Sequence, residues 1–383
     1  MPEAVIVDAV RTPVGRAVKG SLKDVRADDL ASIPLKALVE RNPGVDFSET
    51  VDVMMGAAFG AGEQGYNVAR NAALLAGIDH HVPGVTVNRF CASSLQTIRM
   101  AFHAIKAGEG DQYVAAGVEA VSRAADTGNF EFHPKLDGSE GSVYNVYIPM
   151  GLTAENVAER CNVSREQQDE WAVISQTRAV DARDSGHFDR EIVAVTTPDG
   201  TQVTQDDGPR PGTTMEKLAA LQPAFKPDGT VTAGNACPLN DGAAAVLVMS
   251  EEKANALGLK PRARIVASTV AAIRPEIMGL GPIPAIQALL EATGMTMDDI
   301  DVVEINEAFA AQIVPCKEEL GIDDEKLNPF GGAIALGHPF GMTGARIMTT
   351  LLNDLETLDK QYGIESMCVA GGMCQAMLVE RLN

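Results

Sequence analysis

Val51-Asp-Val-Met-Met-Gly-Ala-Ala-Phe59 returns late in the chain as Ile300-Asp-Val-Val-Glu-Ile-Asn-Glu-Ala-Phe309. Each begins as an apolar, β-branched run and breaks into small or polar residues, the pattern of a buried strand leaving a sheet. The segments downstream of the two runs also match in spacing. From Asp52 to Cys91 is 39 positions, and from Asp301 to His338 is 37. An internal duplication therefore places His338 near the corner that matches the one holding Cys91. Two such corners, facing each other across a pseudo-twofold axis, can meet at one site.

The surroundings of the two copies agree. Around the first, strands are expected at 3–7, 51–55, 84–87 and 112–117, with helices at 27–40 and 66–76. Around the second, strands at 264–270, 301–304, 366–369 and 376–380 alternate with helices at 282–293, 307–320 and 345–355. Alternation of this kind predicts an α/β protein with a largely parallel sheet covered on both faces. The middle of the chain breaks the pattern. Ser164-Arg-Glu-Gln167 is a capping box opening a helix to about Ser185. Turn signals then crowd together in Pro198-Asp-Gly, Asp207-Gly-Pro-Arg-Pro-Gly212 and Pro227-Asp-Gly. The organisation expected is an N-terminal half at 1–118, a loop domain at 119–250 and a C-terminal half at 251–383. Such insertions commonly carry substrate recognition.

Cys91 lies where Val85-Thr-Val-Asn-Arg-Phe-Cys-Ala-Ser-Ser-Leu-Gln96 passes from strand to helix. Leu95, Ile98, Phe102 and Ile105 recur at helical spacing just beyond it. A cysteine at a helix N-terminus meets free N–H groups and partial positive charge, which favour the nucleophilic thiolate. A pKa below the ordinary thiol value is expected on that ground. The plainer alternative is a small buried side chain, since free cysteine is among the most buried residue types.

Composition narrows the classes. The chain has 383 residues, 45% of them hydrophobic, enough for two or three domains with real cores. Only 4% are aromatic and 36 are glycine, which suits close helix–sheet packing. A net charge of −21 argues against nucleic acid or an anionic membrane as partner. The cysteines are Cys91, Cys161, Cys237, Cys316, Cys368 and Cys374, with no CxxC pair and no zinc-ligand spacing to histidine, so no metal site is expected. Residues 1–10 carry Glu3 and Asp8 and lack a basic leader region. No apolar run approaches the ~20 residues of a membrane span. A cytoplasmic protein with reduced thiols is expected.

Three further segments carry chemistry. Asn306-Glu-Ala-Phe309 follows the second-copy strand, and by itself Asn306 reads as a helix N-cap. In Gly331-Gly-Ala-Ile-Ala-Leu-Gly-His-Pro-Phe-Gly-Met-Thr-Gly344, five glycines flank His338. This is a turn and cap, or a phosphate cradle lacking its lysine, or a histidine open to a ligand's close approach as a general base. In Met367-Cys-Val-Ala-Gly-Gly-Met-Cys-Gln375, Cys368 ends a strand, and a buried structural thiol is the ordinary reading.

Taken together, Asn-Arg-Phe-Cys91, Asn306-Glu-Ala-Phe, Gly-His338-Pro-Phe-Gly and Cys368-x-x-Gly-Gly resemble the thiolase family of CoA-dependent acyltransferases, in family order and at family spacing. The resemblance runs from Arg11-Thr-Pro-Val-Gly-Arg16 to the last strand. It implies the thiolase fold, two like halves in five α-β-α-β-α layers with an inserted loop domain. Ketosynthases share that fold but use a single cysteine, and Cys368 argues against them. The resemblance implies that Cys91 carries the acyl group and that His338 takes its proton and helps bind the thioester oxygen of the acetyl-CoA half. It implies that Asn306 holds a water in a first oxyanion hole and that Cys368 is the acid–base. The N–H groups of Cys91 and Ala370 would form a second oxyanion hole. Cleaving a 3-ketoacyl thioester between its α and β carbons needs a soft nucleophile and an acid matched to a carbanion, which two cysteines supply.

The chain departs from the family at several positions. Ala370 and Cys374 stand where glycine is usual, and a methyl at 370 is strained if φ is positive there. Cys374 is read as inert packing. Pro149 replaces a common histidine beside Met150, which would line the pantetheine channel, and Cys237 replaces a serine that often touches the pantetheine arm. Residues 119–250 hold 10 Lys/Arg against 20 Asp/Glu, so CoA must be held by local contacts. Arg210 falls at the family's adenine and phosphate arginine, with Lys217 as a second candidate, and surface charge is the alternative for both. Trp171 reads as core and His80-His81 as surface loop. The activity implied is acetyl-CoA C-acyltransferase (3-ketoacyl-CoA thiolase), with CoA as co-substrate and no permanently bound cofactor. Degradation of fatty or sterol side chains is preferred to synthesis of acetoacetyl-CoA or to an inactive acyl-CoA carrier. A cysteine hydrolase of acyl thioesters is the rival from another class. Family members are homodimers or homotetramers, and a homo-oligomer is expected. Nothing in the chain shows whether a hydratase or dehydrogenase partner binds.

Overall fold

The structure, a computed structural model, describes residues 1–124 and 131–383; the remaining stretch of the loop domain lies outside the described residues. The first half comprises β1 (Ala4–Arg11), α1 (Ala27–Arg41), β2 (Asp52–Gly56), α2 (Val68–Leu75), β3 (Gly84–Val87), α3 (Ser93–Ala107) and β4 (Gln112–Ala120). Two helices of the middle region follow, α4 (Met150–Cys161) and α5 (Arg165–Asp184), and then β5 (Asn240–Ser250). The second half comprises β6 (Ala263–Ala272), α6 (Pro282–Thr293), β7 (Val302–Ile305), α7 (Ala310–Leu320), α8 (Thr343–Thr357), β8 (Tyr362–Val369) and β9 (Met373–Arg381).

These strands form one continuous sheet in the order β7-β8-β9-β6-β1-β5-β4-β2-β3. The duplication is visible in its pairings. In the first half β2 runs parallel to β4, β4 antiparallel to β5, and β5 antiparallel to β1. In the second, β7 runs parallel to β8, β8 antiparallel to β9, and β9 antiparallel to β6. The counterpart of β3 is reduced to a single parallel bridge between Val303 and Leu327. The halves join where β1 meets β6, Val5 opposite Arg264.

The expectation of a largely parallel sheet is corrected. Each half closes with antiparallel strands, because β8 returns as β9 through the tight turn at 370–372, a connection available only to antiparallel neighbours. β5, although it ends the stretch read as loop domain, is a fully buried strand inside the sheet.

Five layers follow from which faces are apolar. Leu30, Leu35 and Leu38 of α1, with Val68 and Ala72 of α2, cover the outer face of the first half-sheet. Leu95, Ile98 and Ile105 of α3 and Ile347, Met348 and Leu351 of α8 fill the space between the halves. Ile286 and Leu289 of α6 and Ile313 of α7 cover the outer face of the second. At roughly 1.5–3 kcal/mol for each fully buried aliphatic side chain, these faces hold the helices in place. The two central helices begin against each other. A Cβ at Gly344 would lie 2.3 Å from Leu95 N, and Ser94 Oγ accepts from Ala345 N–H at 2.9 Å. The N-termini of α3 and α8, and so the Cys91 and His338 corners, are thereby brought together. In the middle region α5 carries the expected capping box, Ser164 and Gln167 bonding reciprocally. Among the described residues no helix is long and apolar enough to cross a membrane.

Candidate active site

After β3 the chain turns sharply, and Phe90 adopts a left-handed conformation with φ 44°. For a non-glycine residue that costs about 1–2 kcal/mol. Four hydrogen bonds hold it. Asn88 Oδ1 accepts from Phe90 N–H at 2.8 Å while Asn88 Nδ2 donates to Ala58 O at 2.9 Å. Ser93 Oγ accepts from Arg89 N–H at 2.9 Å and donates to Phe90 O at 2.6 Å. The corner delivers Cys91 into a single 3-10 turn, Phe90–Ala92, ahead of α3.

Cys91 is buried, and the expectation of a depressed thiol pKa is overturned. Burial pushes it up to about 12; the N–H groups of Ala370 and of Cys91 itself act in the opposite direction, and the Glu119 carboxylate adds to the rise. Loss of water around the sulfur outweighs the helix start. At neutral pH Cys91 is therefore a thiol, and a neighbouring base would be needed for it to act as a nucleophile.

His338 is suited to that role. It lies just before α8 and is buried. Its backbone N–H donates to Asn240 Oδ1 at 2.9 Å, and Asn240 Nδ2 donates to Gly15 O at 3.0 Å. Nδ1 meets Thr343 Oγ1 at 2.6 Å, and Thr343 Oγ1 donates its own proton to Pro339 O at 2.8 Å. The threonine hydroxyl can then only accept from the ring, which fixes the proton on Nδ1 and leaves Nε2 unprotonated, an acceptor. Burial, followed by the positive charge of Arg346, lowers the imidazole to about 3. It is neutral at physiological pH.

Asn306 does not cap a helix: the N-cap of α7 is Phe309 and lacks a side-chain bond. The asparagine follows β7, and its Nδ2 meets His338 Nε2 at 3.3 Å. Its Oδ1 is buried with no hydrogen-bond partner among the described residues, an acceptor available to a bound water. Its neighbour Glu307 ties the loop domain to the site. The carboxylate accepts from Trp171 Nε1 at 2.9 Å, Ser175 Oγ at 2.6 Å, Asn328 Nδ2 at 2.9 Å and Ile334 N–H at 3.1 Å. Trp171 is core, as its sequence position suggests.

Cys368 is the penultimate residue of β8, fully buried, and its Sγ–H donates to Gln312 Oε1 at 3.1 Å. Burial holds this thiol well above the usual range, and the neighbouring Cys91 sulfur adds to the effect. Ala370 introduces no strain, because the left-handed positions of the turn are Gly371, φ 78°, and Gly372, φ 79°. A Cβ at Gly372 would also lie 2.3 Å from Ile273 O. Cys374 sits directly opposite Cys368 in the register of β8 and β9, is free, and is raised to about 11 by burial.

A cavity of about 370 Å³ has Arg16, Lys19 and Arg210 in its wall and extends past Phe225 to Cys237 and Ile334. Cys237 N–H donates to Ala308 O at 3.1 Å, which joins this wall to the Asn306 segment, and its sulfur interacts with that of Cys91. Arg210 and Cys237 thus line one channel. Met150 opens α4 and packs partly buried on the second-half core, and Lys217 is exposed beside Gly212; neither lines this cavity. His80 and His81 are exposed, as expected. With Asp79 they form the one close group of metal-binding side chains among the described residues, and His81 is engaged by Asp79 at 2.7 Å.

Sequence reading missed Thr343, Asn240, Gln312 and Glu119. Glu119 is buried, accepting from Ala58 N–H at 2.9 Å, Phe59 N–H at 3.1 Å and Gly341 N–H at 2.8 Å, so it ties the segment after β2 to the loop that follows His338. Only Thr343 left a local signal, within the same glycine-rich stretch as His338 and opening α8.

Cys91, His338 and Cys368 thus meet where the two duplicated corners come together, beside a cavity with Arg16, Lys19 and Arg210 in its wall. Family comparison agrees across nearly the whole chain. The thiolase N-terminal domain matches residues 4–252 and the thiolase C-terminal domain residues 259–381. The chain belongs to the thiolase family, and the protein is an acyltransferase. It is 48% identical over 403 residues to a β-ketoadipyl-CoA thiolase of Acinetobacter baylyi, covering all of both chains. It is 47% identical over 390 residues to a 3-ketoacyl-CoA thiolase of Idiomarina loihiensis, again over all of both. The crystal structure of the dimeric peroxisomal thiolase of Saccharomyces cerevisiae superposes with a TM-score of 0.94 at 39% identity, covering 100% of this chain and 98% of that one.

Proposed function

We propose that the protein cleaves 3-ketoacyl-CoA with CoA, yielding acetyl-CoA and a chain-shortened acyl-CoA. The observation that carries this is the pairing of a neutral His338, its Nε2 unprotonated, with two buried thiols, Cys91 and Cys368. His338 takes the Cys91 proton as the sulfur attacks the ketone carbon, and the N–H groups of Cys91 and Ala370 receive the developing oxyanion. The bond between the α and β carbons breaks. Cys368 protonates the departing acetyl-CoA enolate, whose thioester oxygen rests against His338 and a water held by Asn306. The CoA thiol then attacks acyl-Cys91; the Cys368 thiolate takes its proton, and the protonated His338 returns the first proton to the departing Cys91 sulfur. CoA is a co-substrate, its phosphates lying among Arg16, Lys19 and Arg210 and its pantetheine arm passing Cys237.

The degradative direction is the preferred reading, in fatty-acid or sterol side-chain β-oxidation in the cytoplasm. The name borne by the Idiomarina relative supports a general 3-ketoacyl substrate, while that of the Acinetobacter relative adds a dicarboxylic chain to those worth testing. A homodimer or a dimer of dimers is also proposed. β3 is an edge strand, and Tyr66, Leu74, Leu75 and Phe90 beside it are exposed. The test is turnover of 3-ketoacyl-CoAs of graded length, and of 3-ketoadipyl-CoA, with and without free CoA. CoA-dependent acetyl-CoA release that vanishes in Cys91→Ala is expected. Free acid formed without CoA would establish a hydrolase, and binding without turnover at every length an inactive carrier.

A further inference from the structure

Gln312, in the first turn of α7, is completely buried and both ends of its amide are engaged. Oε1 accepts the Cys368 thiol proton at 3.1 Å, and Nε2 donates to the backbone carbonyl of Asn306 at 3.2 Å. The second contact decides the first. A carbonyl oxygen can only accept, so Asn306 O selects the amide nitrogen and turns the amide oxygen toward the sulfur. The stem of the side chain is closely packed: a Cβ on Gly279 would lie 2.9 Å from Gln312 Cβ. Methionine, equally long, would fill the same space with no buried polar end left to satisfy. The polar amide is therefore matched to a task that packing alone does not set.

We infer that Gln312 is a positioning residue for the acid–base step, holding Cys368 as a protonated thiol beside Cys91 and tying it to the segment that carries Asn306. The inference rests on Cys368 being the proton carrier proposed above. At rest the S–H points to the amide oxygen. When substrate enters, rotation about Cβ–Sγ brings the proton to the enolate carbon, while the sulfur keeps its place.

The test separates two partial reactions of the intact protein. Exchange of labelled CoA into acetyl-CoA needs Cys91 and His338. Exchange of the acetyl methyl protons of acetyl-CoA with D2O needs Cys368. In Gln312→Met, methyl-proton exchange should slow by about 10- to 100-fold while label exchange stays within about twofold of wild type. An equal fall in both would make Gln312 merely structural and overturn the inference. Gln312→Glu gives a second reading in case the methionine variant misfolds. Protonated, the introduced carboxyl offers an acceptor to the sulfur and a donor to Asn306 O, as the amide does. Ionised, it offers neither donor nor neutrality. Its methyl-proton exchange relative to wild type should therefore approach one at low pH and fall as pH rises; a ratio independent of pH would overturn the inference. If the wild-type protein exchanges no label between CoA and acetyl-CoA, the acyltransfer reading itself fails, and the role of Gln312 with it.

Discussion

His338 donates from Nδ1 to Oγ1 of Thr343, the first residue of α8, at 2.6 Å, and the same hydroxyl gives its proton to Pro339 O. The tautomer of His338 is thus set by the threonine that opens α8. Thr343→Val removes the acceptor and lets the ring proton move to Nε2, where it blocks proton abstraction. The expected loss in kcat is about 10- to 1000-fold with little change in KM. Thr343→Ser, which keeps the hydroxyl, should stay close to wild type. Steady-state kinetics of the two variants check the point.

The pH behaviour stems from two burial effects of opposite consequence. His338, lowered to about 3, stays neutral as pH falls through the ordinary histidine range, so its ability to accept a proton persists well below pH 6. Cys91, raised to about 12, stays a thiol until the pH is strongly alkaline. Label exchange between CoA and acetyl-CoA should therefore show no ionisation of either group between about pH 5 and 9. Alkylation of Cys91 should keep rising with pH beyond the ordinary thiol value. A plateau near pH 8.5 in the alkylation rate would refute a buried, unactivated thiol.

Ala370 and Gly372 should respond in opposite ways to conservative substitution. The backbone at 370 does not need glycine, so Ala370→Gly should leave acyl transfer within about twofold and stability within about 1 kcal/mol. Gly372→Ala adds a methyl at φ 79° and into contact with Ile273 O. Its cost is expected to exceed about 2 kcal/mol, read as a lower urea midpoint.

Glu307→Ala should loosen the loop domain before it alters chemistry. The substitution leaves four buried donors, from Trp171, Ser175, Asn328 and Ile334, without their shared acceptor. A loss of about 3 kcal/mol or more is expected, with a fall in melting temperature and altered Trp171 fluorescence. Unchanged fluorescence would show that α5 is anchored elsewhere.

The cations along the channel should act on CoA affinity. Arg16→Ala and Lys19→Ala, like Arg210→Ala, are expected to raise KM for CoA several-fold with kcat retained, and the effect should shrink as salt rises. Equal losses in kcat would move these residues away from the phosphates.

The helical spacing of Leu95, Ile98, Phe102 and Ile105, the capping box at Ser164 and the matched runs at Val51 and Ile300 were legible because each depends on local periodicity. The largely parallel sheet was not a sound expectation, since strand sense depends on how β8 and β5 return. Cys91 and His338 were legible as corner residues, but their protonation was not. The helix start near Cys91 is local in sequence, whereas the desolvation that outweighs it comes from packing between the two halves.

The sequence by itself determined the duplication, the two corners and the kinds of groups placed at them, because these depend on residue type and spacing along one chain. The tertiary structure alone decided which proton sits where. Thr343 fixes the histidine tautomer, burial keeps Cys91 a thiol, and Gln312 faces Cys368 with its oxygen, since each depends on a neighbour's geometry and on the water it excludes.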